Sequence, residues 1–190
     1  MTQAQVLQLC EQQGAYLRGH FRLSSGLHSA EYLQCARLLA APAIAERLGR
    51  ALAQRCPGLP VDFVTAPALG GLIIGHEVAR ALDRPFLFVE RDFSGQMALR
   101  RGFEIQPGWR GLVIEDVITT GGSTREAIAA IQVAGGAIAA AASIIDRSDG
   151  AIDLDLPHVA LATLKVATYQ PEACPLCAQG QPAVKPGSRQ

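Results

Sequence analysis

The spacing of apolar residues changes rhythm several times along the chain. Over residues 2–13, Val6, Leu9 and Cys10, with Leu7 beside them, share one helical face that ends near Gly14. From Gly19 to Ser29 the period drops to two. Phe21 and Leu23 alternate with polar residues before a Ser24-Ser25-Gly26 turn, and Tyr32 to Leu39 offers a second extended run, so an N-terminal antiparallel hairpin is expected. Helical spacing returns over 43–56 with Ile44, Leu48 and Leu52, and Pro57-Gly58 stops it. Val61 to Val64 then reads as a strand, Leu72 to Leu82 as a helix, and Pro85 to Glu90 as a strand. Two strands joined by a helix at this length imply parallel neighbours. The small-residue loop Thr65 to Gly71 would sit at a strand's carboxyl end, the edge where open α/β sheets bind ligands.

Leu112-Val113-Ile114 is a short apolar run suited to a buried strand, and Glu115-Asp116 places two carboxylates where that strand should end. Thr119, Thr120, Gly121, Gly122 and Ser123 follow. From Thr124 the pattern turns helical, with Ile128 and Ile131 three apart, Gly135-Gly136 as a stop and Ser123-x-x-Glu126 as a capping box. Ala137 to Asp146 is almost wholly apolar and should be a strand buried on both faces, and Val159 to Val166 is a last strand. The tail from Tyr169, rich in Pro and Gly, reads as an extended strap. The expected fold is α/β: a doubly wound, mostly parallel sheet in one domain over 1–190. A small N-terminal hood would occupy 1–40, a mobile lid 91–110 and the tail 168–190.

The lid is expected from its length and its arginines. Residues 91–110 carry Arg91, Arg100, Arg101 and Arg110 among glycine hinges, a composition suited to closing on a polyphosphate. The same residues fit a surface hairpin with Met97-Ala98-Leu99 on one arm and Phe103-Glu104-Ile105 on the other.

Composition narrows the chemistry. With 190 residues, 49% of them hydrophobic, the chain can build one full core. A formal net charge of zero argues against a protein whose main work is gripping nucleic acid. No run approaches the ~20 apolar residues of a membrane span, and Met1-Thr-Gln-Ala-Gln5 lacks the features of a signal peptide, so a cytoplasmic enzyme is expected. Fifteen of the seventeen basic residues are Arg, there is no Gly-Lys pair for a Walker loop, and no Gly-x-Gly-x-x-Gly run supports a dinucleotide fold. The five cysteines are read as reduced thiols. Cys174-x-x-Cys177 is half a zinc site, whose other ligands would have to come from a partner chain or from scattered residues; packing thiols are expected.

The stretch from 112 to 123 offers backbone N–H groups, the positive end of a helix dipole and the hydroxyls of Thr119, Thr120 and Ser123, which suit a phosphate. Carboxylates do not suit a phosphate, but as pure acceptors Glu115 and Asp116 match a vicinal diol. A phosphorylated sugar satisfies both. Taken alone, Ser123 could simply cap a helix and Gly121-Gly122 could simply make a turn.

Leu112 to Ser123 resembles the signature by which type I phosphoribosyltransferases bind phosphoribosyl pyrophosphate. The resemblance implies that Glu115 and Asp116 hold the ribose hydroxyls and that Val117 and Ile118 lead into a 5'-phosphate loop of Thr119, Thr120, Gly121, Gly122 and Ser123. It makes Gly70-Gly71 the pyrophosphate loop. Phe21-x-Leu-x-Ser25-Gly26-x-x-Ser29, followed by an aromatic, is similar to the hood that covers the base in orotate phosphoribosyltransferases. In that family an Arg after the Asp of the following strand contacts the pyrimidine, which implies Arg147. By the residues alone, Arg147 would sooner pair with Asp146 or Asp149. Arg91 matches the family's leading lid Arg. Many members carry Lys and His in the lid and Lys in the pyrophosphate loop, whereas this chain has Arg100, Arg101 and Gly70. The resemblance further implies Mg2+ held mainly through the substrate and a homodimer whose lid closes over the neighbour's site. The implied reaction joins orotate to phosphoribosyl pyrophosphate in pyrimidine synthesis; a purine-base transferase and a non-catalytic sensor of the sugar phosphate are the alternatives.

Overall fold

A computed structural model describes residues 1–23 and 25–186; Ser24 of the hood turn and residues 187–190 of the tail lie outside the described residues. The chain opens with α1 (Gln3–Gln12) and a hairpin of β1 (Tyr16–Arg22) and β2 (His28–Leu33). A short α2 (Cys35–Leu39) and α3 (Pro42–Gln54) lead into β3 (Phe63–Pro67), α4 (Gly71–Leu82) and β4 (Phe86–Arg91). The edge strand β5 (Met97–Leu99), β6 (Arg110–Ile118), α5 (Gly122–Val133), β7 (Ala137–Asp146) and β8 (His158–Thr163) follow. The tail holds β9 (Thr168–Tyr169), a single 3₁₀ turn (Pro171–Ala173) and α6 (Pro175–Ala178).

The larger sheet has the order β5-β4-β3-β6-β7-β8, parallel except for β5. Side-chain alternation splits its core in two. Leu112 and Ile114 point into a cluster with Leu48, Leu52, Ile74 and Val78 from α3 and α4, while Val113 between them joins Phe63, Ala127 and Ile131 on the α5 side. From β3 the chain crosses through α4 to β4 on one side, and from β6 it crosses through α5 to β7 on the other. The strand order therefore reverses between β3 and β6. The loops leaving these two strands flank a crevice at the switch point, where such sheets bind ligands. The hood is a separate sheet of order β1-β2-β9.

Several boundaries differ from the sequence reading. The strand carrying the acidic pair does not end there; β6 runs on to Ile118 because Glu115, Val117 and Ile118 pair with Ser143, Ile145 and Asp146 of β7. The second hood strand is His28–Leu33, and Cys35–Leu39 is helical, burying Cys35, Leu38 and Leu39 at helical spacing. β3 absorbs Thr65 to Pro67 from the expected loop. In the lid, Met97–Leu99 pairs with Val89–Arg91 of β4, so the hairpin lies around residues 92–96 and residues 103–105 form no strand. Asp92 holds that turn by accepting the N–H groups of Ser94 (2.8 Å) and Gln96 (3.0 Å). The tail is no simple strap. Beyond α6 it returns to the hood, where Val184 donates to the His20 carbonyl (2.8 Å) and accepts from the Arg22 N–H (2.9 Å).

Candidate active site

β6 delivers its loop to α5 through Gly121, which adopts φ 74° and ψ 12° and starts the helix without a side-chain cap. The expected Ser123-x-x-Glu126 box therefore does not form, and the first-turn N–H groups keep their capacity for an anion. Gly121 is required twice over, by its left-handed backbone and by the methyl of Ile152 packed where a Cβ would stand. Arg125 braces the loop from outside, donating to the carbonyls of Thr120 (2.7 Å) and Asp153 (2.6 Å). Thr119 to Ser123, with Val117, Ile118, Glu115, Arg91 and Glu126, line a cradle of about 270 Å3. Thr119, Thr120, Gly122 and Ser123 are exposed to an entering ligand.

Glu115 lines one end of this cradle, and Asp116, next to it on β6, faces the loop after β3. Glu115 is buried, and its carboxyl is pushed up to about 9, first by burial and then by the charge of Asp116. Burial also raises Asp116, opposed by N–H donation from Val117 to its Oδ1 at 2.8 Å. The loop after β3 reaches the same place. It contains a cis Ala68–Leu69 peptide and leads to Gly70 and Gly71 at the start of α4. A Cβ on Gly70 would lie 2.8 Å from Asp116 Oδ1, and one on Gly71 would lie 2.9 Å from the Ile114 carbonyl oxygen. A side chain at 71 would meet β6 backbone, whereas one at 70 would have to displace the Asp116 carboxylate.

Arg147 follows β7 beside this pair. Its Nε is buried without a hydrogen-bond partner, and burial lowers its pKa. The ion pairs anticipated from sequence do not form: Asp146 accepts backbone N–H groups of Ser148 (2.7 Å) and Gly150 (3.2 Å), and Asp149 meets Lys165 at 3.0 Å. Across from Arg147 stands the hood. Tyr32 of β2 is raised by burial and by Asp116 and eased by Arg147, so both charges act on one phenol. Ser25 and Gly26 form the exposed hairpin turn, and no hydrogen bond among the described residues joins them to the cradle.

The lid arginines divide. Arg91 reaches the cradle, donating to Glu126 Oε2 and to the Gly95 carbonyl, each at 2.7 Å. Arg101 makes a fork to Glu90 with both contacts at 2.9 Å, Arg100 approaches the same carboxylate at 3.7 Å, and neither lines the cradle. Glu126 was missed as a site residue because its spacing from Ser123 read as a local cap. Tyr32 was seen only as an aromatic following a motif.

The fold is a doubly wound α/β sheet whose switch point carries a helix-N-terminal cradle, adjacent carboxyl groups of which Glu115 is buried, and an arginine whose buried Nε has no hydrogen-bond partner among the described residues. The phosphoribosyl transferase domain family matches residues 34–171. An orotate phosphoribosyltransferase of Pelotomaculum thermopropionicum is 52% identical over 189 residues, covering 100% of this chain and 99% of its own. One from Rhizorhabdus wittichii is 52% identical over 192 residues, covering 100% and 97%. Among solved structures, orotate phosphoribosyltransferase from Aeropyrum pernix aligns with a TM-score of 0.69 at 28% identity, over 84% of this chain and 94% of its own. The chain belongs to the phosphoribosyltransferase family and, within it, groups with the orotate phosphoribosyltransferases. A Mycobacterium tuberculosis member solved with 5-phospho-alpha-D-ribosyl 1-diphosphate shares the fold at a TM-score of 0.64 and 21% identity, over 86% of this chain and 92% of its own.

Proposed function

We infer that this chain transfers the phosphoribosyl group from phosphoribosyl pyrophosphate to orotate, giving orotidine 5'-monophosphate and pyrophosphate in pyrimidine synthesis. The observation that carries the reading is the junction of the β6 cradle with the Glu115-Asp116 pair, near an Arg147 that has no ion-pair partner among the described residues. The cradle takes the 5'-phosphate on the α5 N-terminus, and Asp116 together with Glu115, which holds its proton, hydrogen-bonds the ribose hydroxyls. Gly70 and Gly71 bring bare backbone to the pyrophosphate, and Arg91 exchanges Glu126 for its oxygens. Arg147 takes the carboxylate of orotate under the hood. A base nitrogen then forms its bond to the anomeric carbon as the carbon–oxygen bond to pyrophosphate breaks and the electron pair leaves with that oxygen. Catalysis lies in aligning the two and in stabilising the departing charge.

Mg2+ fits this site through its hard oxygen donors. Glu115 and Asp116 suit the diol, so Mg2+ would be held mainly through the substrate's own oxygens and would supply neutralisation of the pyrophosphate charge. The same reading makes the chain a single-domain cytoplasmic enzyme, a homodimer in which residues 91–110 close as a lid over the neighbour's site. Arg100 and Arg101 are engaged with Glu90 rather than with this chain's cradle, and Phe93 is fully exposed at the hairpin tip. No described helix is long and apolar enough to cross a membrane.

The test is an assay with Mg2+, phosphoribosyl pyrophosphate and either orotate or adenine, following loss of orotate absorbance. Turnover with orotate alone is expected. Asp116→Asn should cut it at least tenfold, about 1.4 kcal/mol in the transition state. Turnover of adenine without orotate would overturn the base assignment, and an unchanged Asp116→Asn rate would overturn the diol role.

A further inference from the structure

Four side chains outside the sugar-phosphate site converge where the tail returns to the hood. His20 lies in β1 and His28 in β2, while Cys174 immediately precedes the single turn of α6 and Cys177 lies within it. Their donor atoms all lie within 4.8 Å of one another. The two histidines and Cys174 are buried, Cys177 is exposed, and both thiols are free.

The spacing matches a tetrahedral ion. Cys174 Sγ is 3.5 Å from His20 Nε2, and Cys177 Sγ is 3.8 Å from that nitrogen and 3.3 Å from His28 Nδ1. A zinc ion with ordinary bond lengths separates sulfur from nitrogen by about 3.6 Å and nitrogen from nitrogen by about 3.3 Å. These three sulfur–nitrogen edges are within about 0.3 Å of that size, and every other donor separation is within 4.8 Å. The two nitrogens, at 2.8 Å, need only part by roughly half an ångström to reach the tetrahedral spacing.

The tautomer is set for ligation. His20 Nδ1 lies 2.8 Å from the Gln181 carbonyl oxygen, which can only accept. Nδ1 of the neutral ring therefore carries the proton, and Nε2 turns its lone pair to the cluster. A backbone carbonyl fixing the far nitrogen is the usual outer support of a ligating imidazole.

We propose that His20, His28, Cys174 and Cys177 form a closed structural zinc site that staples the tail to the hood. Two thiolates balance the charge of the ion, two neutral imidazoles complete four-coordination, and no position is left open for catalysis. The hood has need of such a staple. β9 contributes two residue pairs to it, His28 with Tyr169 and Ser29 with Thr168, and Val184 adds one isolated bridge to Phe21. A sheet that small is marginal by itself.

The chain should be expressed untagged with zinc in the medium and its metal counted by mass spectrometry. About one zinc per chain is expected, and cobalt in its place should show tetrahedral visible bands with a thiolate charge-transfer band. Cys177→Ser and His28→Gln should each lower zinc affinity by roughly tenfold or more with the circular dichroism retained. His76→Gln, an exposed histidine outside the cluster, should keep the metal. A folded chain without zinc after this preparation, or zinc that survives both ligand substitutions undiminished, would overturn the site. A Cys174–Cys177 disulfide in zinc-free protein would assign the pair to redox chemistry instead. None of these readouts involves turnover, so they stand or fall apart from the transferase reading.

Discussion

Replacing Arg147 by Met should make the free protein more stable and the enzyme worse. The guanidinium is desolvated where β7 ends, and its Nε has no partner. A buried donor left unmatched costs about 1–3 kcal/mol, and Met keeps the apolar stem while removing that donor. At about 2–4 °C per kcal/mol for a chain of this size, Tm should rise by about 2–12 °C. Binding moves the opposite way. A charge-assisted contact to a carboxylate is worth about 1.5–3 kcal/mol, so KM for orotate should rise roughly tenfold to a hundredfold. KM for phosphoribosyl pyrophosphate should change little. Calorimetry of the ligand-free protein and initial rates against orotate at saturating sugar phosphate test both signs. A lowered Tm with an unchanged orotate KM would refute the reasoning, because it would make Arg147 a structural residue satisfied within the fold.

The Glu115 carboxyl sits at about 9 in the folded chain against 4.5 unfolded, so the folded state keeps a proton that the unfolded state gives up. Its contribution to stability is complete below about pH 4.5 and is lost as pH rises toward 9, by about 1.4 kcal/mol per pH unit for one whole proton. Urea titrations from pH 5 to 9 should show that decline and Glu115→Gln should flatten it; equal slopes would remove Glu115 as its source. Glu126→Gln breaks the exposed pair with Arg91, which contributes about 0–1 kcal/mol, so Tm should hold while calorimetric affinity for phosphoribosyl pyrophosphate rises. Unchanged affinity would show that Glu126 does not restrain Arg91.

The parallel sheet and its switch point were legible because apolar strand runs are separated by helices with four-residue spacing. The cradle was legible because its residues are contiguous. What escaped was decided at a distance. β6 continues through polar Glu115 and Asp116 because β7 supplies paired backbone, which no local pattern at 115 announces. The Ser123-x-x-Glu126 motif lost to a left-handed Gly121 and to an arginine 35 residues away. By sequence Leu38 and Leu39 fall in the second extended run, and packing on α3 makes them helical instead. His20 and Cys174 meet across 154 residues, so a lone Cys-x-x-Cys looked unfinished. Two histidines flanking the hood turn were the available signal.

Gly70 and Asp116 touch across the crevice between β3 and β6, and the contact leaves no space for a Cβ at 70. The two positions are therefore one setting with two parts. A side chain at 70 would push the Asp116 carboxylate aside, so a lysine placed there would add a cation to the loop and displace the acidic group from the crevice in one substitution.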